Sequence, residues 1–250
     1  DILPALKNDC IKTYIQPKVD MRTGRIVGGE ALVRWQREDG SMVYPDEFIP
    51  VIEKNGYVLD VDDYMWDKVC YYIKQLEKEG KTPVPISINV SRMHVYQEDF
   101  IDRIKKITSK YDINPKLIPL EITESAFTSE ESSLYRKIKS LQDCGYRFSM
   151  DDFGSGYSSL GMLKDEHVDE VKIDKTFVDD IATDKGRILL KNVIQMIRAL
   201  GIDMIAEGVE TKEQADFLVN NGCIYAQGFY YYRPMPIEDF VLLLEKSGKE

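Results

Sequence analysis

Histidine and cysteine are scarce in this chain of 250 residues, which holds two histidines, His94 and His167, and four cysteines, Cys10, Cys70, Cys144 and Cys223. No two cysteines have C-x-x-C spacing, which removes a thiolate zinc site and a disulfide framework and leaves reduced, mostly buried thiols. Two imidazoles are too few for a His-rich metal centre, so any metal must be held by oxygen, which favours hard cations such as magnesium, manganese or calcium. Neither histidine has a partner motif, and both are read as surface or loop residues. No apolar run reaches the roughly eighteen residues of a membrane span, and no signal-peptide pattern opens the chain. The expectation is a soluble, cytoplasmic domain with no membrane contact of its own, or the cytoplasmic part of a membrane protein. Positive charge is also short, with 33 Lys and Arg against 43 Asp and Glu and a net charge of −10. That balance excludes general affinity for a nucleic-acid polymer, but not for a small phosphorylated ligand if bound cations reverse the local sign. Linkers and low-complexity tracts are missing too, so residues 1–250 are expected to form a single domain, and the lack of an initial Met suggests one cut from a longer protein.

What is present is a regular alternation of short apolar runs with amphipathic stretches. The expected strands are 13–19, 26–33, 84–89, 118–122, 147–150, 170–173, 203–206 and 224–229. The expected helices are 60–79, 97–111, 130–144, 185–200, 212–221 and 236–246. In the first of these helices Val61, Tyr64, Met65, Val69, Tyr72, Ile73 and Leu76 recur at a 3.6-residue period. Thr211 and Gln214 form a capping-box pattern, and Gly222 marks the stop of the same helix. Eight strands with intervening helices in a chain of this length predict an α/β fold, a TIM-like (β/α)8 barrel. Residues 20–24 are too few for a crossover helix, so the first strand must run antiparallel to the others as a hairpin with the second. That hairpin sets Gln16 near Glu30.

Polar residues stand at the ends of these apolar runs: Glu30, Asn89, Glu121, Asp151 with Asp152, Lys172, Glu207 and Gln227. Strand ends are where such barrels build their sites, so these residues are expected to converge on one mouth. Two bare carboxylates about 4 Å apart repel by roughly 4 kcal/mol at an effective dielectric near 20. Glu30, Glu121, Asp151, Asp152 and Glu207 therefore need raised pKa values or cations among them. Asn89, a neutral oxygen donor, suits a coordination shell better than a proton relay. The doubled Asp before Phe-Gly-Ser-Gly suits two neighbouring divalent cations, an arrangement that serves in-line displacement at phosphorus.

EALVRW at 30–35, INVS at 88–91, EITE at 121–124, DDFGSGYSSL at 151–160, VKIDKTFV at 171–178, AEGVE at 206–210 and AQGFYYYRPMP at 226–236 together resemble the signature set of EAL domains. These are bacterial phosphodiesterases specific for cyclic di-GMP, and the resemblance spans about residues 14–244. It implies two divalent cations, Mg2+ or Mn2+, one held by Glu30, Asn89, Glu121 and Asp151 and the other by Asp151, Asp152 and Glu207. Lys172 matches the lysine that orients the attacking water, and Arg34 the arginine that grips a substrate phosphate. Gln16, Gln227 and Pro234 match positions lining the substrate pocket, and Glu124 a loop anchor. Two departures, Gly29 where Ala is usual and Ser155 where Thr is common, remove no ligand. The implied reaction is hydrolysis of cyclic di-GMP to linear pGpG by a metal-activated water, in a domain that pairs as a homodimer near the loop after Asp152. An upstream sensory or GGDEF domain is implied in the parent chain. A receptor that binds cyclic di-GMP without turnover is the other functional class, and an enolising barrel enzyme a third. Lys172 could alternatively pair with Asp174 or Glu170, Glu210 is read as a helix-start carboxylate, and the aromatic run 229–232 is expected to pack.

Overall fold

A computed structural model describes residues 2–127, 132–154, 163 and 168–247. Among them are ten strands: β1 (Ile11–Asp20), β2 (Ile26–Gln36), β3 (Met42–Val43), β4 (Ile86–Asn89), β5 (Leu120–Thr123), β6 (Phe148–Phe153), β7 (Glu170–Ile173), β8 (Asp203–Ala206), β9 (Tyr225–Ala226) and β10 (Met235–Pro236). They form one sheet in the order β10-β1-β9-β8-β7-β6-β5-β4-β2-β3, and the additional β1–β2 pairing closes it into a barrel. Eight strands make the wall, with β3 and β10 as short flanking pieces. β1 is antiparallel to both of its wall neighbours, β2 and β9, whereas the pairs from β2 through β9 are parallel. The hairpin register sets Gln16 directly opposite Glu30, as the short connection requires. Pro17, which has no N–H to give, falls between β1's two short ladders to β10 and β9 and so leaves neither unpaired.

The parallel strands are buried on both faces because helices cover the outside and side chains fill the inside. Helix Val58–Lys78 buries Val61, Met65, Trp66, Val69, Ile73 and Leu76 toward the wall, the spacing its sequence announced. Helix Lys212–Asn221 has the expected capping box, with Thr211 Oγ1 accepting from Gln214 N and Gln214 Oε1 accepting from Thr211 N, and it stops at Gly222 with φ +98°. The last wall strand is shorter than its apolar run, because the chain leaves β9 at Gln227 and turns at Gly228, whose carbonyl accepts from the amides of Tyr231 and Tyr232. The run 229–232 therefore does not pack along a strand, and Phe229 and Tyr230 are exposed. None of the described helices is long and apolar enough to cross a membrane.

Candidate active site

Lys172 is the centre of the barrel mouth. Its Nζ lies 2.7 Å from Glu121 Oε2, 2.8 Å from Asp151 Oδ1, 2.9 Å from Glu207 Oε1 and 3.2 Å from Glu30 Oε2. These carboxylates come from β5, β6, the exit of β8, and β2, so four elements deliver one side chain each to an ammonium rising from β7. The side chain of Lys172 is 1% exposed. Asp174 and Glu170 are not among its partners: Asp174 caps the next helix through Thr176 N, and Glu170 faces Lys18.

Adjacent residues of a strand ordinarily point to opposite faces. Asp151 and Asp152 do not, because the β6–β7 register shifts between Met150 and Phe153 and Asp152 takes φ +56°. Such a bulge with a left-handed residue costs about 1–3 kcal/mol and re-aims side chains, and Asp tolerates it better than most. The result is that oxygens of Asp151, Asp152 and Glu207 lie within 4.8 Å of one another, a geometry that could hold a metal ion. Just beyond, Gly154 has φ +95° and a Cβ there would fall 1.9 Å from the Phe177 ring. Its N–H donates to Glu124 Oε2 at 3.1 Å, tying the exit of β6 to the segment after β5.

Glu30 is held by amides as well as by Lys172. Asn89 Nδ2 donates to Glu30 Oε1 at 3.0 Å and Gln227 Nε2 to Glu30 Oε2 at 2.6 Å. Gln227 Nε2 also donates to Gln16 Oε1 at 3.0 Å, while Gln227 Oε1 is buried and finds no hydrogen-bond partner among the described residues. Arg34 stands outside this cluster, half-buried, donating to its neighbour's carbonyl at Val33 and lying over the Tyr14 ring. Pro234 is half-buried and precedes β10 on the Gln16 side of the wall.

Sequence reasoning missed one participant. Lys18 is buried in the barrel, with Nζ 2.8 Å from Glu121 Oε1 and 3.6 Å from Glu170 Oε1. Two residues after Gln16 on β1, it shares that residue's inward face, which the period of a strand could have revealed. The expected repulsion, which called for raised pKa values or cations, is met in part from within: Lys172 and Lys18 supply two positive charges inside the barrel. The balance remains uneven. Burial pushes Glu207 up to about 8 and raises Glu30 and Asp152, each with a neighbouring carboxylate adding to the rise. Burial acts on Glu121 in the same direction, but Lys172 and Lys18 overcome it and hold its carboxyl below the usual range.

This geometry has close counterparts. Residues 1–234 match the profile of the EAL domain family. The chain belongs to the EAL domain family. It is 36% identical over 237 residues to the signaling protein YkoW of Bacillus subtilis, covering 94% of this chain and 30% of that one. It is 33% identical over 246 residues to a probable cyclic di-GMP phosphodiesterase, PdeG of Escherichia coli, covering 98% of this chain and 48% of that one. The chain therefore spans less than half the length of these curated relatives. The solved MucR phosphodiesterase of Pseudomonas aeruginosa, in its c-di-GMP complex, superposes with a TM-score of 0.90 at 31% identity over 96% of this chain and 98% of that one.

A methyl at Gly29 would fall 2.5 Å from Cγ2 of Ile15, so the glycine accommodates that isoleucine. Ser155 and His167 lie outside the described residues. His94 is not a surface residue: it is fully buried, Nδ1 3.1 Å from Asp62 Oδ2 and Nε2 3.4 Å from Asp63 Oδ1, with its ring 4.4 Å from that of Trp66. No local motif reveals its burial, because both acidic partners lie about thirty positions earlier, on another helix. Glu210 pairs with Lys175, and its N–H donates to Gln214.

Proposed function

We propose that this EAL domain hydrolyses cyclic di-GMP to linear pGpG. The observation that carries the reading is the convergence of Glu30, Glu121, Asp151 and Glu207 on Lys172 at the strand ends. The names of PdeG and of the MucR complex point to the same substrate. The donor set fits two hard divalent cations, Mg2+ or Mn2+, since it is all oxygen, exceeds the charge of the enclosed ammoniums, and includes the compact Asp151–Asp152–Glu207 group. Glu30, Asn89, Glu121 and Asp151 would hold one ion and Asp151, Asp152 and Glu207 the other. Bound there, such ions lower the pKa of water and stabilise charge on phosphoryl oxygens.

The chain's own groups supply the rest. Arg34 is free to turn its planar guanidinium from the Val33 carbonyl to a non-bridging phosphate oxygen, a change of one neutral acceptor for a charged one. Lys172 Nζ holds the attacking water and offsets negative charge as the pentacoordinate arrangement forms. Water adds to phosphorus in line with the departing 3′ oxygen and the P–O3′ bond breaks; Glu207 takes one proton of the water and passes it, through solvent, to the 3′ oxygen, so that the products are a 3′ hydroxyl and a 5′ phosphate monoester. Gln16, Gln227 and Pro234 line the pocket for the rest of the substrate, and Glu124 anchors the loop after Asp152.

Within this reading residues 1–250 act as one EAL domain of a longer, cytoplasmic or membrane-attached chain with a sensory or GGDEF domain upstream, and the domain works as a homodimer. The segment through which pairing is expected, the loop after Asp152, lies largely outside the described residues. Chromatography of cyclic di-GMP incubated with the protein and Mg2+ or Mn2+ tests the activity: pGpG is expected. Tight binding with the cyclic dinucleotide left intact would replace the enzyme with a receptor.

A further inference from the structure

We propose that Lys18 is a positioning residue of this site, holding Glu121 from beneath so that one carboxylate oxygen stays turned toward the mouth. The inference rests on the metal-dependent reading above. Glu121 is fully enclosed and each of its oxygens meets a different ammonium, Oε1 that of Lys18 at 2.8 Å and Oε2 that of Lys172 at 2.7 Å. The two lysines have different surroundings. Among the described residues Lys172 touches four carboxylates at the mouth, whereas Lys18 touches those of Glu121 and Glu170. Glu170 is itself fixed by Ser149 Oγ, which donates to its Oε1 at 3.0 Å. Lys18 also lines a cavity of about 240 Å3 at the opposite end of the barrel, together with Pro85, Ser87, Pro119 and Ser149. It thus reaches Glu121 from the side away from the strand ends and has no path to substrate.

The consequence is a division of labour within one carboxylate. Any cation that takes Glu121 as a ligand must do so through Oε2, the oxygen shared with Lys172, while Oε1 stays anchored. Without Lys18 the carboxylate keeps one partner and can rotate about its last torsion, so ligand geometry at the mouth is lost although every ligand remains. Residues that orient a metal ligand typically change metal affinity or activity by about ten- to a hundredfold when removed.

A double-mutant cycle with K18M and E121Q tests this, read by Mn2+ titration of the full chain followed by electron paramagnetic resonance. K18M is expected to weaken Mn2+ binding about tenfold or more in the wild-type background and by less than twofold in E121Q, because its effect passes through Glu121. Turnover of cyclic di-GMP should fall in kcat with KM within twofold. K18Q, which keeps a donor to Glu121, should recover part of both losses, and it replaces K18M in the cycle if the apolar variant does not fold. Equal effects of the Lys18 substitution in both backgrounds, or wild-type Mn2+ affinity in K18M, overturn the proposal while leaving the phosphodiesterase reading intact. A wild-type protein that binds Mn2+ and leaves cyclic di-GMP uncut overturns the function instead, and the cycle on Mn2+ still decides the role of Lys18. A wild-type protein that binds no Mn2+ overturns both.

Discussion

Two buried ionic clusters lie close together in this molecule and are built on opposite plans. Around Lys172 the carboxylates outnumber the ammoniums, all from strand ends, and burial leaves Glu207 with a pKa near neutrality, at about 8. Around His94 the groups come from helices and share their partners. Asp62 accepts from Ser91 N at 3.1 Å as well as facing the imidazole, and Asp63 accepts from Arg103 Nη1 at 2.9 Å. The second cluster ties helix Val58–Lys78 to Phe100–Tyr111. The first has more carboxylates than ammoniums, with Asp152 and Glu207 partly exposed. A buried cluster with more carboxylates than cations at strand ends points to an ion or substrate, whereas one whose groups bridge packed helices points to architecture.

The largest effect that would break this contrast is on catalysis. Replacing the ammonium in K172M should lower turnover of cyclic di-GMP by about 10²- to 10³-fold. H94F, which keeps a ring against Trp66, should leave turnover within twofold if the protein folds. Loss of activity in a folded H94F would mean that both clusters serve the reaction.

Next comes stability. H94A should cost about 3 kcal/mol in urea unfolding, since it opens a cavity beside Trp66 and removes one of the two partners of Asp62. Saturating Mg2+ should not recover that loss selectively, yet at a hundredfold excess over its Kd it should stabilise the wild type by about 2.7 kcal/mol and D151N/D152N by much less. Equal stabilisation of both would place the cation elsewhere.

The pH dependence separates the clusters further. A carboxyl whose pKa rises from the ordinary 4.5 to about 8 on folding holds its proton more tightly in the folded state. Its contribution to stability is therefore complete below about 4.5 and is lost as pH rises through about 8, by on the order of a few kcal/mol. Metal-free wild type should lose stability across this window relative to E207Q, in which the titration is removed. Parallel curves for the two proteins would contradict the assignment. The smallest effect is expected far from either cluster: T211A should cost about 1 kcal/mol through its lost helix cap and leave turnover unchanged.

The strands were legible because a parallel wall buried on both faces demands unbroken apolar runs, and the bounds of β7, β8 and helix Lys212–Asn221 follow those runs residue for residue. The mouth was legible for the same reason, since a charge ending such a run stands out. Helix Pro45–Lys54 was not: Pro45 suits its first turn, but Pro50 inside it reads as a breaker, although Phe48 and Ile52 are buried on one face of the helix. Lys18 escaped because an isolated lysine in an alternating strand looks like its solvent face. Asp152 shows the limit in another form, because no rule of strand alternation brings two adjacent carboxylates to one site; the bulge does.

The most direct measurement is anomalous diffraction at the manganese edge from crystals grown with Mn2+. Two peaks at the strand ends are expected, both in contact with Asp151 and flanked by Asp152, Glu207 and Glu30, with Lys172 displaced from at least one of its four carboxylates. Peaks confined to the protein surface, with Lys172 still bonded to all four, would contradict the reading of this mouth as a divalent-cation centre.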